Sequence, residues 1–213
     1  VTANKSLLAA HGSELFEAAA RHGAPLLYEA SVLAGVPFLG TFGRRPLARD
    51  VFGISGIVNG TSNFILSRML ADRVSFGDAL SEAQRAGYAE PDPSKDINGD
   101  DALEKLCVLA RHFGGWTIAP GEVERAGIAD LELQDLQQAS AFGGRIRPVV
   151  HADWDVDGVR DGAGEGEVVA AFRAVAVHRG QQDFPRPLGG EGAGEVEGVD
   201  PGHVPRPARL DLD

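Results

Sequence analysis

Apolar residues recur at helical spacing close to the start of the chain, where Leu7, Leu8, His11, Leu15, Phe16 and Ala19 follow Val1-Thr2-Ala3-Asn4-Lys5. The first five residues read as the end of a strand running into a loop. Ser6 is placed to cap the helix, Gly12-Ser13 suggests a break with recapping, and Gly23 supplies the C-terminal stop. Leu26 to Glu29 reads as a short strand. Strand, helix and strand in that order form the repeating unit of a parallel α/β sheet, so residues 1–32 are expected to be the last unit of a doubly wound domain whose earlier units are absent.

Ala30 to Pro37 is a crossing segment, and a new pattern starts beyond it. Phe38 to Phe42, Asp50 to Val58 and Ile146 to His151 are strand candidates, the first two joined by a turn around Arg44, Arg45 and Pro46, and Val123 to Ile128 continues that series. Thr61 or Ser62 is expected to cap a helix that turns Phe64, Ile65, Met69 and Leu70 inward, and Ser75 with Asp78 resembles a capping box for Phe76 to Ala86. Tyr88 to Gly99, with two prolines and three acids, reads as loop. Leu103, Leu106, Cys107, Leu109 and Ala110 then make an amphipathic helix from Asp100 to about Phe113, stopped by Gly114-Gly115, and Leu133 to Phe142 is helix-like. The regular pattern ends near Trp154, apart from an apolar piece at Val168 to Val177. The expected division is therefore 1–32, 33–154 as an α+β domain with a mixed sheet, and a tail over 155–213.

Composition sharpens that division. The chain has 213 residues and a formal net charge of −11, with 28 Gly and 12 Pro, and 11 of those glycines and 5 of those prolines lie after Val156. With few large apolar side chains and much charge, that tail is expected to pack poorly. No apolar run approaches the roughly 18 residues that span a bilayer, the N-terminus lacks the sections of a signal peptide, and the excess of acid argues against phosphate-backbone binding. The expectation is a cytoplasmic protein with no membrane or nucleic-acid partner. Cys107 alone provides no disulfide or cysteine-based zinc site; flanked by Leu106 and Val108, it reads as core. Of 20 basic residues only Lys5, Lys95 and Lys105 are lysines, so each invites a specific explanation.

Four groupings could carry chemistry. Asp101 and Lys105 lie four apart on a helix and so share a face; an isolated pair of this kind is ordinarily a solvated ion pair, but a lysine beside carboxylates in a cleft can act as acid or base. Glu90-Pro91-Asp92-Pro93 holds carboxylates on a stiffened backbone, which suits an ammonium or a cation as well as it suits a surface turn. Gly56 to Asn63 is a strand, turn and helix start, where backbone N–H groups attract anions, although a plain turn and cap use the same residues. Asn4-Lys5 sits where ligands bind in open α/β sheets. His11, His22 and His112 have no second ligand at useful spacing and read as structural.

Taken together, Val1 to Lys5, Tyr28-Glu29-Ala30-Ser31-Val32 with Gly35-Val36-Pro37, the Gly56 to Leu66 stretch, and Gly87-Tyr88-Ala89-Glu90-Pro91-Asp92-Pro93 followed by Asp96, Gly99, Asp101 and Lys105 closely resemble homoserine dehydrogenase. Gly144 to Val149 extends the likeness, which fades after about Trp154. The resemblance implies an α/β protein in which the remnant of a Rossmann-type domain precedes a catalytic and dimerisation domain. It implies an NAD- or NADP-linked interconversion of L-homoserine and L-aspartate 4-semialdehyde by a homodimer. Carried across, Lys105 handles the proton of the substrate oxygen, Asp101 binds substrate and orients Lys105, and Gly87 and Glu90 meet the substrate's polar end. Lys5 and Asn4 lie near the nicotinamide, and Glu29 with the carbonyls of Val32, Ala34 and Val36 holds a monovalent, sodium-like cation. No G-x-G-x-x-G follows a strand here, so this chain is expected to be incomplete and weakly active or inactive alone. The other reading is a non-catalytic dimerisation or amino-acid-binding module of the same origin.

Overall fold

The computed structural model describes residues 1–42, 51, 53–154 and 168–178. In chain order these form α1 (Lys5–Arg21), a 3-10 turn (Glu29–Ser31), α2 (Leu39–Phe42), β1 (Gly53–Gly56), α3 (Gly60–Asp72) and α4 (Phe76–Arg85). There follow α5 (Ser94–Asn98), α6 (Asp100–Gly114), β2 (Glu124–Arg125), α7 (Leu133–Ala141), β3 (Gly144–Trp154) and β4 (Val168–His178). The strands form one sheet in the order β1-β3-β4-β2; β3 pairs antiparallel with both β1 and β4, while β2 pairs parallel with β4. The sheet is mixed, as the sequence suggests.

Helix α6 organises the interior because it supplies side chains to two buried clusters. Leu103, Leu106 and Ala110 pack with Val150, Ala152 and Trp154 of β3, while Val108 and Leu109 pack with Leu8 of α1, Val32 and Leu39. A third cluster joins Ile65, Leu66 and Met69 of α3 to Ala79 and Ala83 of α4, Leu136 of α7 and Ile146 of β3. Cys107 is buried in α6, 4% exposed. Burial of half a dozen such side chains at about 1.5–3 kcal/mol each is what fixes α6 in place. His112, half-buried near its C-terminal end, bonds to the Tyr28 hydroxyl at 2.7 Å. Burial holds its pKa below the ordinary imidazole value against the opposing charge of Glu29, so His112 is structural.

Several local expectations are corrected. Helix α1 starts at Lys5 with Asn4, not Ser6, as its cap, and its non-helical residue is His11, next to the expected break. Leu26 to Glu29 is not a strand: its link to the chain start is the bond from Thr2 N–H to the Leu27 carbonyl at 2.8 Å, too little for a ladder. No strand lies within residues 1–32. Phe38 to Phe42 is not a strand either; Leu39–Phe42 is a helical turn, because the Glu29 carboxylate accepts the N–H groups of Leu39 and Gly40 at 2.8 and 2.7 Å. Phe38 and Phe42 pack edge-on against Phe113. The stretch read as loop before Gly99 contains α5. Within Asp50 to Val58 the described strand is Gly53–Gly56, and within Val123 to Ile128 it is Glu124–Arg125.

Strand β4 is the largest addition. Eleven of its residues pair with β3 inside the stretch expected to pack poorly, and the apolar piece at Val168 to Val177 is its signature. The remainder of that tail, 155–167 and 179–213, and the turn expected around Arg44 to Pro46 lie outside the described residues.

The loop carrying α5 is fastened by close backbone contact. Ile128 N–H donates to the Ile97 carbonyl at 2.9 Å, and a Cβ built on neighbouring Gly127 would stand 2.7 Å from that same carbonyl oxygen and 3.2 Å from Asn98 Cα. Backbone atoms cannot rotate aside. Gly127→Ala is therefore expected to destabilise by about 1–3 kcal/mol, read as a lower urea midpoint with unchanged m-value. An unchanged midpoint would show that the loop is not held there.

Candidate active site

The N-terminal ends of α1 and α6 lie side by side, and between them sits a cluster of charges. Asp101, in the first turn of α6, places Oδ2 2.8 Å from Lys105 Nζ and Oδ1 3.1 Å from Lys5 Nζ. A single carboxylate thus bridges two of the chain's three lysines. Lys105 Nζ also donates to the Val58 carbonyl at 2.7 Å, just past the end of β1. The Asp101 and Lys105 side chains are 14% and 16% exposed, and Lys5, at 29%, is the most open of the three. Ser6 donates to Glu104 Oε2 at 2.7 Å, a second link between the two helix starts.

Asn59 completes the cluster. Its Nδ2 donates to Asp96 Oδ1 at 2.6 Å and to Asp101 Oδ2 at 2.9 Å, while its Oδ1 accepts the N–H of Ser62 at 2.8 Å and so caps α3. The helix start read as an anion site is therefore capped from within, by Asn59 instead of Thr61 or Ser62. Ser62 Oγ in turn donates to the Asp96 carbonyl at 2.7 Å. Two carboxylates and two ammonium groups meet here with formal charge zero.

Burial is the largest single influence on Asp101 and by itself raises its pKa. The hydrogen bonds from Lys105, Asn59 and Lys5, with the Lys105 charge, outweigh it, so the carboxyl is held below the usual carboxylate range. Asp101 is ionised at neutral pH. A carboxylate fixed in this way orients an ammonium group, and Lys105, with two of its three N–H positions used by protein oxygens, keeps one for an oxygen arriving from outside.

The other expected residues fall in two places. Gly87, with φ of +78°, ends α4 and opens the acidic loop, which Thr61 ties to the start of α3 by donating to the Tyr88 carbonyl at 2.7 Å. Gln84 holds the Glu90 and Pro91 carbonyls at 3.2 and 3.3 Å, and the exposed Glu90 carboxylate makes no hydrogen bond or ion pair to another described residue. Asn4 is exposed, with its side-chain oxygen accepting Leu7 N–H at 3.0 Å. Glu29 is elsewhere: its neighbour Tyr28 binds His112, eleven residues along α6 from Asp101, about 16 Å at 1.5 Å per residue. Both Glu29 oxygens accept amides, and the Val36 carbonyl accepts Phe38 N–H at 2.8 Å. Among the described residues no three His, Cys, Asp or Glu side chains converge as a metal cluster.

Asn59 is the residue that sequence reasoning missed. It reads as turn punctuation before a helix, and only the fold brings residues 37 and 42 positions away to its amide. The signal that could have found it is a capping asparagine directly after a strand that delivers a carbonyl to the candidate lysine.

A family model described as homoserine dehydrogenase matches residues 37–182, which takes in β4. The homoserine dehydrogenase of Lactococcus lactis is 39% identical over 143 residues, 67% of this chain and 33% of that protein. That of Helicobacter pylori is 42% identical over 147 residues, 69% of this chain and 34% of that protein. Among solved structures, the homoserine dehydrogenase of Thiobacillus denitrificans superposes with a TM-score of 0.75 at 34% identity, covering 85% of this chain and 40% of that one. The chain thus spans about a third of the length of the curated relatives it matches.

Proposed function

The chain belongs to the homoserine dehydrogenase family, and from that premise we propose that it carries the substrate-handling site of an NAD(P)-linked oxidoreductase. The reaction is the interconversion of L-homoserine and L-aspartate 4-semialdehyde, on the route to threonine, methionine and isoleucine. The observation that carries this reading is the Lys5–Asp101–Lys105 bridge, with Lys105 pinned at 2.7 Å to the Val58 carbonyl.

Dehydrogenation of an alcohol removes two hydrogens, one as hydride from carbon and one as a proton from oxygen. The nicotinamide, when bound, exchanges the hydride. The protein must therefore hold the substrate still and move the proton. As the neutral amine, with two N–H groups on Asp101 and the Val58 carbonyl and its lone pair toward the substrate, Lys105 takes the hydroxyl proton in the direction of oxidation; as the ammonium so formed it returns that proton to the carbonyl oxygen in reduction. Asp101 holds Lys105 against β1 and keeps its Nζ aimed. Lys5, on the other carboxylate oxygen and more open, places positive charge beside the same substrate oxygen, where negative charge develops as the proton leaves. Glu90, whose carboxylate is uncommitted, and the backbone at Gly87 receive the amino-acid ammonium end.

Asn4 and Lys5, exposed and half-buried at the start of α1, stand where the nicotinamide end of the cofactor would approach. A phosphate-binding glycine turn is not among this chain's motifs, and residues 1–32 are read as the last part of the nucleotide-binding domain. A relative 35% identical over 158 residues is named as NAD(+)-dependent, and either NAD or NADP fits what this chain contributes. A monovalent cation suits Glu29 and the carbonyls of Val32, Ala34 and Val36, since one carboxylate and several carbonyls make an all-oxygen donor set and each acceptor already in use keeps a lone pair. Its charge would brace the turn before α2. A homodimer built on the 33–154 domain completes the proposal.

The test is an assay of the chain joined to the nucleotide-binding portion of a relative. L-homoserine-dependent formation of NAD(P)H supports the reading; cofactor binding without turnover of homoserine overturns it.

A further inference from the structure

We infer that Asn59 is the positioning residue of this site: one side-chain amide starts α3 and also holds the carboxylates of Asp96 and Asp101 at fixed places beside the lysines. The inference rests on the reading of the cluster as the homoserine site and adds the residue on which its geometry depends.

The orientation of the amide is unambiguous. A backbone N–H can only donate, so the Ser62 N–H at 2.8 Å requires Oδ1 on that side, and Nδ2 then faces both carboxylates. Its two N–H groups are used, one toward Asp96 Oδ1 at 2.6 Å and one toward Asp101 Oδ2 at 2.9 Å. Asn59 is 4% exposed, so water has little access to replace these bonds. Two carboxylates brought to one nitrogen repel each other, and the shared amide is what lets them stay. Asp101 Oδ2 is the oxygen that Lys105 also uses, so Asn59 determines which edge of the carboxylate meets that lysine. Because Asn59 is rooted in the α3 start, movement of α5 or α6 against α3 is resisted at the point where the chemistry is done.

Capping and positioning can be separated by substitution. Serine and aspartate are both good N-caps, so Asn59→Ser and Asn59→Asp keep the acceptor for Ser62 N–H while removing both amide N–H donors; serine's shorter side chain retains one O–H and cannot serve both carboxylates, and aspartate retains none. Aspartate also places a third carboxylate beside the other two. The charged groups around Asp101 are Lys5 from α1, Lys105 from α6 and, across Asn59, Asp96 from α5. Loss of a donor to ionised Asp101 raises its titration midpoint, and an added negative charge raises it further.

The experiment is carboxyl 13C NMR titration of Asp101 in the full 213-residue chain, wild type and both variants, with thermal unfolding of each. The expected result is unfolding within a few degrees of wild type, with the Asp101 midpoint shifted upward in Asn59→Ser and more so in Asn59→Asp. Folded variants with an unmoved midpoint overturn the inference. Should either variant fail to fold, the wild type decides: the Asn59 side-chain N–H signals must move with the Asp101 titration, and signals that ignore it overturn the assignment. A chain that shows these shifts but, once joined to a nucleotide-binding portion, turns over no homoserine overturns the functional reading and leaves the Asn59 geometry standing. Where turnover is present, Asn59→Ser is expected to lower kcat by about 10²-fold with cofactor affinity unchanged.

Discussion

Lys105→Ala is expected to lower the turnover of L-homoserine by about 10²–10⁴-fold while leaving NAD(P) affinity unchanged, the range that a positioned acid or base contributes. The reason lies in what surrounds the ammonium. Lys105 Nζ is held at 2.7 and 2.8 Å by the Val58 carbonyl and Asp101, so its remaining position, a lone pair in the amine and an N–H in the ammonium, has a fixed direction. Lys5 cannot take its place from the other oxygen of Asp101, 3.1 Å away, without giving up that contact. Lys105→Arg is expected to fail as well, because a guanidinium stays protonated and cannot accept the hydroxyl proton. The assay is the initial rate of NAD(P)H formation in the chain joined to a nucleotide-binding portion, with cofactor binding followed by fluorescence. Near-normal turnover in Lys105→Ala would remove the lysine from the mechanism.

Asp101→Ala is expected to destabilise the chain by about 2–4 kcal/mol at pH 7, since it leaves two ammonium groups facing each other and strips a partner from buried Asn59. The size of the effect depends on pH in a definite direction. The folded-state pKa of Asp101 is lowered relative to the unfolded chain, so its stabilising contribution is complete above the ordinary carboxylate value and is lost as pH falls through the lowered one. The gap in urea stability between wild type and Asp101→Ala should therefore be widest at neutral pH and close in acid. A gap that stays constant down to low pH would mean that the carboxylate's charge contributes nothing.

The helices were largely legible in the sequence because their information is local. The 3.6-residue pattern and flanking glycines place α6, and Ser75 with Asp78 marks the start of α4. Strands depend on partners supplied from elsewhere in the chain. Leu26 to Glu29 reads as a short strand, yet finds only the bond from Thr2; Val168 to Val177 lies in glycine-rich surroundings, yet has the whole of β3 beside it. The turn at Leu39 was hidden for a similar reason, since its cap comes from Glu29, ten residues earlier. In the site, the Asp101–Lys105 pair follows from helix geometry alone. Its link to Lys5 does not: helical spacing says nothing about α1 lying along α6, which Leu8, Val108 and Leu109 bring about by sharing a core.

The scarcity of lysine permits a direct test. Chain labelled at lysine with 15N yields three side-chain signals, from Lys5, Lys95 and Lys105, and these can be followed as L-homoserine is added. Lys95 is exposed on α5 and has no place in the cluster, so it serves as the internal control. Saturable shifts at Lys5 and Lys105 with Lys95 unmoved are the predicted result. Homoserine that leaves all three signals in place, or shifts Lys95 as much as the other two, contradicts the assignment of this cluster as the substrate site.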